Sequence, residues 1–118
     1  MPIARHKPGK FSSQAVIWNR TVYLTGQVSS SGADNVEEQT REILQKIDEL
    51  LLSVGSDRSR ILSASVFLAD ITTWADMNAV WEEWVDPANL PVRATIEGKL
   101  ARPELLVEIV VIAAAGDD

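Results

Sequence analysis

Arg93 is the residue whose type and setting point most directly to ligand chemistry. It follows Pro91-Val92 at the start of a predicted strand. Its planar guanidinium carries a rigid fork of N–H donors that matches a carboxylate through two parallel hydrogen bonds. On position alone, a surface or interface salt bridge is the more common role of such an arginine. Arg93 therefore predicts either a site for the carboxylate of a small metabolite or an ordinary ion pair.

Glu108 is the second candidate, because it interrupts an apolar run. The run extends from Leu105 to Ile112 and contains no other polar residue. Burying a carboxylate is costly unless it is paired or hydrogen-bonded. The position is compatible with an ion pair to Arg93 or Arg102, with an edge strand, or with a site acid that donates a proton or positions water. The sequence itself favours the structural interpretation.

Four further residues carry weaker signals. Gly26 follows a predicted strand, where glycine permits a tight turn, its more common role, or a close approach of backbone to ligand. Asn78 on a predicted helix is compatible with capping, with a hydrogen bond to a loop or with solvent exposure. Thr95 and Ser12 carry hydroxyls able to contact a ligand, and the sequence shows no partner base for either. By themselves, these residues do not define a site.

The composition removes several catalytic classes. The 118 residues include no cysteine, which excludes disulfides, thiolate catalysis and cysteine-based zinc sites. The one histidine, His6, lies in a polar N-terminal segment. A multi-histidine metal site within one chain is therefore excluded, and a Ser–His–Asp triad is disfavoured.

Charge and hydropathy limit the partners and the compartment. The formal net charge is −6, so the chain repels phosphate backbones and anionic membrane surfaces. The segment from Met1 to Lys10 is polar and basic, and no apolar core follows it as in a signal peptide. No stretch approaches the roughly 20 apolar residues of a membrane span. These features predict a cytoplasmic protein without nucleic acid or membrane partners.

Five strands are predicted along the chain, which we expect to form one domain over residues 1–118. Asn19-Arg20 separates the first two as a tight turn, and residues 21–25 alternate with the period of two that is typical of a strand. In the run 61–68, the face formed by Leu62, Ala64, Val66 and Leu68 is wholly apolar and should meet a helix layer. The predicted strands cover residues 14–18, 21–25, 61–68, 92–99 and 105–114.

Two helices are predicted between the strands. The first is capped by Asp34 or Asn35 and ends at Gly55, where a left-handed residue is favoured. The second begins with a capping-box pattern at Thr73 and Asp76 and ends before Asp86-Pro87. Its tryptophans, at positions 74, 81 and 84, have the spacing of core or interface residues. The order is β-β-α-β-α-β-β, an α+β fold with two helices on one face of a mixed sheet.

The last strand predicts assembly, because it is apolar on both faces apart from Glu108. Such a strand requires cover on both sides, and two helices can cover only one face of a five-stranded sheet. An exposed apolar area of this size usually marks an interface. We therefore expect a homo-oligomer that buries the second face of the sheet.

A series of short motifs resembles the RidA/YjgF family over nearly the whole chain. The motifs in register are Val22-Tyr23-Leu24-Thr25-Gly26-Gln27, the helix ending at Gly55, Val66-Phe67-Leu68-Ala69-Asp70, Met77-Asn78, Pro91-Val92-Arg93 and Val107-Glu108-Ile109. The YoaB-like branch is the most similar, through Arg5-His6, Trp81-Glu82-Glu83-Trp84, Lys99-Leu100 and the ending Val107-Glu108-Ile109-Val110-Val111. Each motif is weak alone, and together they are specific.

The resemblance implies a chorismate-mutase-like fold and a homotrimer whose sheets form an inner barrel. It implies three clefts between subunits, each of which binds a small carboxylate-bearing ligand. Well-studied members of the family hydrolyse reactive 2-enamine or 2-imino acids to 2-oxo acids and ammonia, without a metal or an organic cofactor.

The resemblance also implies roles for individual residues. Arg93 matches the arginine that holds the substrate carboxylate, and Glu108 matches the glutamate thought to position or activate water. Thr25 and Gly26 match the strand-end pair that lines the cleft, where the active branch often has serine-glycine. Asn78 matches the asparagine of a methionine-asparagine pair on the helix.

Two departures from the family pattern separate the functional alternatives. Ser12 stands where the active branch has a tyrosine that reaches the ligand, and Thr95 stands where the family often has a cysteine. Loss of the tyrosine removes a hydrogen bond and an apolar wall. Arg93 therefore predicts carboxylate binding better than deamination, and the alternative is a non-catalytic trimer that senses or sequesters 2-oxo acids. An RNA-acting protein, suggested for some relatives, is disfavoured by the acidic charge.

Overall fold

The computed structural model describes residues 2–116 and shows a mixed sheet with two helices on one face. The predicted α+β fold, with both helices on one face, is confirmed, and two additional strands extend the predicted order. The strands are β1 (Ala4–Pro8), β2 (Ser13–Trp18), β3 (Thr21–Leu24), β4 (Gln27–Val28), β5 (Ile61–Leu68), β6 (Val92–Glu97) and β7 (Val107–Ala114). The helices are α1 (Val36–Ser53) and α2 (Trp74–Trp84).

The strand order places the candidate site residues at different depths in the sheet. The order is β1-β2-β3-β7-β5-β6, and β4 also pairs with β7. Only β5 and β6 run parallel, and the other pairs are antiparallel. The strand that carries Glu108, β7, is therefore central, whereas the strand that carries Arg93, β6, is an edge strand.

The N-terminal segment forms β1, which the sequence did not predict. It pairs with β2 through His6 opposite Ala15 and Pro8 opposite Ser13. An edge strand tolerates polar side chains on both faces and a proline near its end, so it lacks the alternation on which prediction depends. Lys7 adopts a φ of 48°, a further local irregularity without a sequence signal.

The helix termini show which capping predictions hold. The Asn35 side chain accepts a hydrogen bond from Glu38 N at 2.8 Å, as predicted for α1. Gly55 follows this helix with a φ of 79°, also as predicted. The capping box at Thr73 is wrong, because its hydroxyl donates to Asp70 O at 2.7 Å instead of capping α2. A 3-10 turn, Ile71–Thr73, precedes α2 and takes its own cap from Asp70.

The core lies between α1 and the covered face of the sheet. Its fully buried members include Ile43, Leu44, Ile47 and Leu51 of α1 and Val66, Leu68, Val107, Ile109 and Val111 of the sheet. The predicted inward face of β5 is correct except at Leu62, which is exposed because a bulge between Ile61 and Ser63 shifts the alternation. On the other face, Phe67, Glu108, Val110 and Ile112 have no helix over them and remain partly exposed.

In the part of the chain that the structure describes, no helix is both long and apolar enough to cross a membrane.

Candidate functional site

The register of β6 on β5 fixes which face of the sheet Arg93 occupies. Arg93 lies opposite Ala64, and Thr95 lies opposite Val66. Both partners are buried against the helices, and paired residues point to the same face of a sheet. Arg93 and Thr95 are therefore on the helix-covered face, at the outer edge of the sheet.

The Arg93 side chain rests on two tryptophans of α2. Its Cζ lies 5.8 Å from the ring centroid of Trp74 and 5.2 Å from that of Trp81, within the range of cation–π attraction. Burial lowers the pKa of the Arg93 guanidinium, and the charge of Glu82 acts in the opposite direction. The guanidinium remains a cation at neutral pH, as arginine does in proteins.

The N–H donors of Arg93 are not used by any of residues 2–116. Among residues 2–116, Arg93 has no hydrogen bond and no ion pair, so the predicted alternative of a salt bridge is wrong within these residues. A salt bridge across an interface stays a prediction. A cation that is half-buried, held by stacking and left with its donors open is suited to bind an anion from outside the chain.

The tryptophans were predicted to be core or interface residues, and Trp81 is confirmed as a core residue. Trp81 is buried, whereas 43% of Trp74 is exposed. Asn78 lies between them on the same helical stripe, and its side-chain amide donates to Glu82 Oε1 at 3.2 Å. The indoles thus form a platform for Arg93, and Asn78 and Glu82 border it.

Glu108 forms a second cluster on the uncovered face of the sheet. It lies opposite Phe67 on β5 and opposite Val28 on β4. Within residues 2–116 the ion pairs suggested by the sequence do not form, because Arg102 pairs with Glu104 at 2.9 Å and Glu108 has no ion pair there. The edge location is wrong as well, since β7 is central.

Gly26 makes room for the Glu108 carboxyl group. A Cβ on Gly26 would lie 3.0 Å from Glu108 Cδ and would overlap one carboxylate oxygen. The glycine therefore serves a close approach rather than only a turn, and the group that approaches is a side chain of the same protein. Thr25 precedes it at the end of β3, where its N–H donates to Gln14 O at 2.9 Å.

Ser12 lies in the turn that joins β1 to β2. The turn is closed by a hydrogen bond from Gly9 N to Ser12 O at 2.8 Å, and Ser12 is exposed. Because β2 runs antiparallel to β3, this turn projects from the end of the sheet at which Thr25 and Gly26 lie. In the strand order, the turn that carries Ser12 is therefore nearer to β7, the strand of Glu108, than to β6, the strand of Arg93.

The candidate residues fall into two groups on opposite faces of the sheet. Arg93 shares a face with Ala64 and Val111, whereas Glu108 shares a face with Phe67 and Ile96. One chain therefore does not bring Arg93 and Glu108 to a single small ligand. Chemically, the first group can hold an anion and the second can exchange protons.

A cavity of about 300 Å³ lies apart from both groups, between the β1–β2 hairpin and α1. Lys7, Gln14, Gln27, Lys46, Glu49, Leu50 and Ser53 line it. Lys46 is already committed there, since it donates to Val28 O at 2.7 Å and to Ser30 Oγ at 2.9 Å. Within residues 2–116, no cluster of three or more histidine, cysteine, aspartate or glutamate side chains is arranged to hold a metal ion.

Two features of the site were not found from the sequence. The first is the surroundings of Arg93, which is bordered by Glu82 and supported by the indole of Trp74. The one sequence signal for these contacts was the spacing of positions 74, 78, 81 and 82, which lie on one face of a helix. The separation of Arg93 and Glu108 between faces depends on strand register, which no local pattern reports.

Comparisons with known proteins cover almost the whole chain. Residues 4–115 match the family model described as Endoribonuclease L-PSP. A RutC family protein from Haemophilus influenzae is 46% identical over 114 residues, which are 96% of this chain and 98% of that protein. The RutC family protein YoaB from Escherichia coli is 43% identical over 102 residues, 86% of this chain and 89% of that protein.

A more distant relative has a named activity. A rat protein named 2-iminobutanoate/2-iminopropanoate deaminase is 32% identical over 110 residues, 88% of this chain and 80% of that protein. The crystal structure of a YjgF family member from Neisseria meningitidis superposes with a TM-score of 0.97 at 37% identity, over 100% of this chain and 98% of that one. The resemblance to the RidA/YjgF family and its YoaB-like branch is confirmed.

Proposed function

This chain belongs to the endoribonuclease L-PSP family, that of the RidA/YjgF proteins, and on that premise we propose that it hydrolyses 2-enamine or 2-imino acids to 2-oxo acids and ammonia. The observation that carries the proposal is Arg93, a stacked guanidinium whose donors are open within residues 2–116. Substrates of this class all carry a carboxylate beside the reacting carbon, which is the group that such an arginine binds best.

The opposite placement of Arg93 and Glu108 supports a site between subunits. In a closed ring of three copies, the edge strand β6 of one copy meets the uncovered sheet face of the next. That contact covers apolar side chains such as Val92 and Ile96, which are 71% and 47% exposed in one chain. It also brings Arg93 of one copy toward Glu108 of its neighbour, and we propose this homotrimer as the working assembly.

The proposed chemistry needs orientation and proton transfer rather than a strong nucleophile. Arg93 holds the carboxylate, so that the imine carbon lies at a fixed place relative to a water bound by Glu108. Water adds to the C=N carbon, and Glu108 accepts its proton and returns one to the nitrogen. The resulting carbinolamine then expels ammonia as the C=O bond of the 2-oxo acid forms.

Backbone groups of β6 contribute a further set of contacts. Within the described residues β6 pairs only with β5, so the outward amides and carbonyls near Arg93 and Thr95 are open to a ligand. Asn78 and Thr95 lie on the Arg93 side of the cleft, and Thr25, Gly26 and Ser12 lie on the Glu108 side. We propose the first set for holding the carboxylate and the second for lining the reacting end.

The test generates a 2-imino acid in place with an amino-acid oxidase and follows its loss against a nucleophile that traps the imine. We expect wild type to accelerate hydrolysis and Arg93→Ala to lower kcat/KM by about 100-fold, because an unclamped substrate loses its orientation. Arg41→Ala is the matched control, since Arg41 is an exposed arginine of α1 paired with Glu38. Equal acceleration by wild type and Arg93→Ala would show that Arg93 does not hold the substrate, and no acceleration by wild type would show that the proposed reaction is wrong.

A non-catalytic trimer that binds 2-oxo acids is the second candidate, and Ser12 favours it. Ser12 is an exposed hydroxyl at the position where the active branch of the family has a tyrosine. A titration with 2-oxobutanoate separates the two functions. Binding that depends on Arg93 without any turnover of the imine favours the sensing or sequestering protein, whereas binding with turnover favours the deaminase.

A further inference from the structure

Gln27 directly follows Gly26, but its side chain lies on the other side of the sheet from Glu108. It is paired with Ile109, which is buried against the helices, and it is itself only 8% exposed. Paired residues point to the same face of a sheet, so Gln27 faces the cavity between the β1–β2 hairpin and α1. The deaminase site proposed for Arg93 and Glu108 makes no use of this buried polar side chain.

The carboxamide of Gln27 leaves one polar atom open to the cavity. Its Nε2 donates to Thr25 O at 3.0 Å, whereas its Oε1 accepts no hydrogen bond from residues 2–116. No fully buried side-chain oxygen or nitrogen of these residues lacks a partner, so Oε1 is not sealed inside the protein. Because Gln27 lines the cavity, this oxygen presents an acceptor to a ligand there.

Two opposite charges line the same cavity without pairing. Lys7 of β1 has no hydrogen bond and no ion pair within residues 2–116. Among the same residues, Glu49 of α1 accepts only a long hydrogen bond of 3.4 Å from Gln45. Lys46, the other cation of the cavity, already has three acceptors within the chain. One cation and one anion therefore remain for a ligand.

The backbone of β1 brings Lys7 to this cavity. His6 faces α1, where its Nε2 lies 3.2 Å from Ser53 Oγ, so the next residue of a regular strand would point away from the helix. Lys7 instead has a left-handed φ of 48°, which breaks the alternation, and it lines the cavity together with residues of α1. Such a φ is uncommon for lysine, so the placement of this charge is a specific feature of the fold.

We propose that the cavity is a second binding site and that its ligand is a small zwitterion, such as a free α-amino acid. The ammonium group of the ligand donates to Gln27 Oε1 and to the Glu49 carboxylate, and its carboxylate accepts from Lys7 Nζ. Leu50, which is 9% exposed, supplies an apolar surface for a short side chain. A ligand with one charge would leave one of the two protein charges unmatched.

This site is separate from that of Arg93 and Glu108. The proposed contact between copies uses β6 and the uncovered face of the sheet, whereas the cavity lies on the helix-covered side beside β1. Assembly of the proposed trimer therefore leaves the cavity open. Binding of a zwitterion there does not require the deaminase reaction, so the two proposals succeed or fail independently.

The experiment titrates isotope-labelled wild type with L-alanine and follows the backbone amides of Gln27, Leu50 and Ser53 by NMR. Propanoate and ethylamine are the matched probes, because each is alanine without one of its charged groups. We expect a saturable shift of these amides with alanine. Propanoate should bind about tenfold more weakly, since it loses both acceptor contacts. Ethylamine should bind about fivefold more weakly, since it loses the contact with Lys7.

Two variants test the charges separately. Lys7→Met should weaken alanine binding about fivefold and leave ethylamine binding unchanged. Glu49→Gln should weaken alanine binding about fivefold and leave propanoate binding unchanged. Lys10→Met and Glu83→Gln are the matched controls, because both residues are exposed and neither lines the cavity. Lys7 and Glu49 are also exposed, so both variants should fold as wild type does, which their amide spectra check.

The proposal is wrong if wild type shows no saturable shift at the cavity, or if propanoate or ethylamine binds as tightly as alanine. Equal weakening by Lys7→Met and Lys10→Met would assign the effect to overall charge, which also overturns the site. Arg93→Ala should keep the shifts that alanine causes in wild type. Their loss in this variant would assign the ligand to the Arg93 site instead of the cavity.

Discussion

Arg58 and Arg93 both lie against tryptophans of α2, with Cζ 5.0 Å from the Trp84 ring and 5.2 Å from the Trp81 ring respectively. Arg58 uses its donors within the chain. Its Nε and Nη2 bind the two carboxylate oxygens of Asp48 at 3.1 and 2.5 Å, and its Nη1 binds Trp84 O at 2.7 Å. The Trp84 indole N–H completes the cluster by donating to Asp48 at 2.9 Å.

Arg93 has the same stacking and none of these polar partners within residues 2–116. The comparison shows that stacking on indoles orients a guanidinium without deciding what it does. At Arg58, a carboxylate and a carbonyl of the chain occupy the fork, and the cluster joins α1, α2 and the turn before β5. At Arg93 the fork is oriented and open, which is the condition for binding a carboxylate from outside.

Removal of Arg58 provides the largest test of this contrast. We expect Arg58→Ala to lower the free energy of unfolding by about 2 kcal/mol, because Asp48 and Trp84 O lose a charged hydrogen-bond partner and the Arg58 side chain is 41% exposed. Chemical denaturation measures the change. Arg93→Ala should alter stability by less than about 1 kcal/mol. An equal loss of stability in both variants would mean that Arg93 is structural too.

Replacement by lysine tests the importance of fork geometry at each arginine. Lysine keeps the charge but cannot form two parallel hydrogen bonds to one carboxylate. We expect Arg58→Lys to cost about 1 kcal/mol of stability with unchanged kcat/KM per folded protein. Arg93→Lys should lower kcat/KM by about tenfold with unchanged stability. Full activity of Arg93→Lys would argue that a point charge is sufficient and that the open fork has no special role.

A carboxylate ligand should stabilise the protein through Arg93 and not through Arg58. At a 2-oxobutanoate concentration ten times the Kd, linkage predicts about 1.4 kcal/mol of added stability in wild type. The same increment is expected in Arg58→Lys at ten times its own Kd. At the ligand concentration used for wild type, almost none is expected in Arg93→Ala. Thermal unfolding with and without ligand measures both, with acetamide as a neutral control for cosolute effects. A shift that survives in Arg93→Ala would place the ligand elsewhere.

The parts of the fold that were predictable are those with a local cause. Asn35 and Gly55 define the ends of α1 because capping and a left-handed φ are properties of a few adjacent residues. The strand Ala4–Pro8 was missed because the run Arg5-His6-Lys7 lacks the alternation of polar and apolar residues that marks a strand, although it pairs with the neighbouring β2 in a hairpin. At Leu62, a bulge changed the face of a correctly predicted strand.

The candidate site was predictable as residue types and not as an arrangement. Arg93 and Glu108 were identified because a guanidinium after a proline and a carboxylate in an apolar run are unusual. Their placement on opposite faces follows from the pairing of β6 with β5 and of β5 with β7. That Arg93 has no polar partner within residues 2–116 could not be predicted, because the residue type and its spacing do not show whether the N–H donors are used.

Glu82 provides the smallest test, since it is the carboxylate that acts on the pKa of Arg93. Its negative charge attracts the guanidinium and repels an incoming carboxylate, so Glu82→Gln should strengthen 2-oxobutanoate binding. An exposed charge pair contributes about 0.2–1 kcal/mol, which predicts an affinity gain of about twofold that shrinks as salt is added. Isothermal titration calorimetry at two salt concentrations measures it.

Glu83→Gln is the matched control for Glu82→Gln, because it removes the same charge from the next residue of α2, where no influence on Arg93 is found. Equal affinity gains in the two variants would assign the effect to overall charge, and the contrast between the arginines would then rest on stacking and open donors alone. A weaker affinity in Glu82→Gln would instead mean that Glu82, held by Asn78 at 3.2 Å, helps to orient the guanidinium for its ligand.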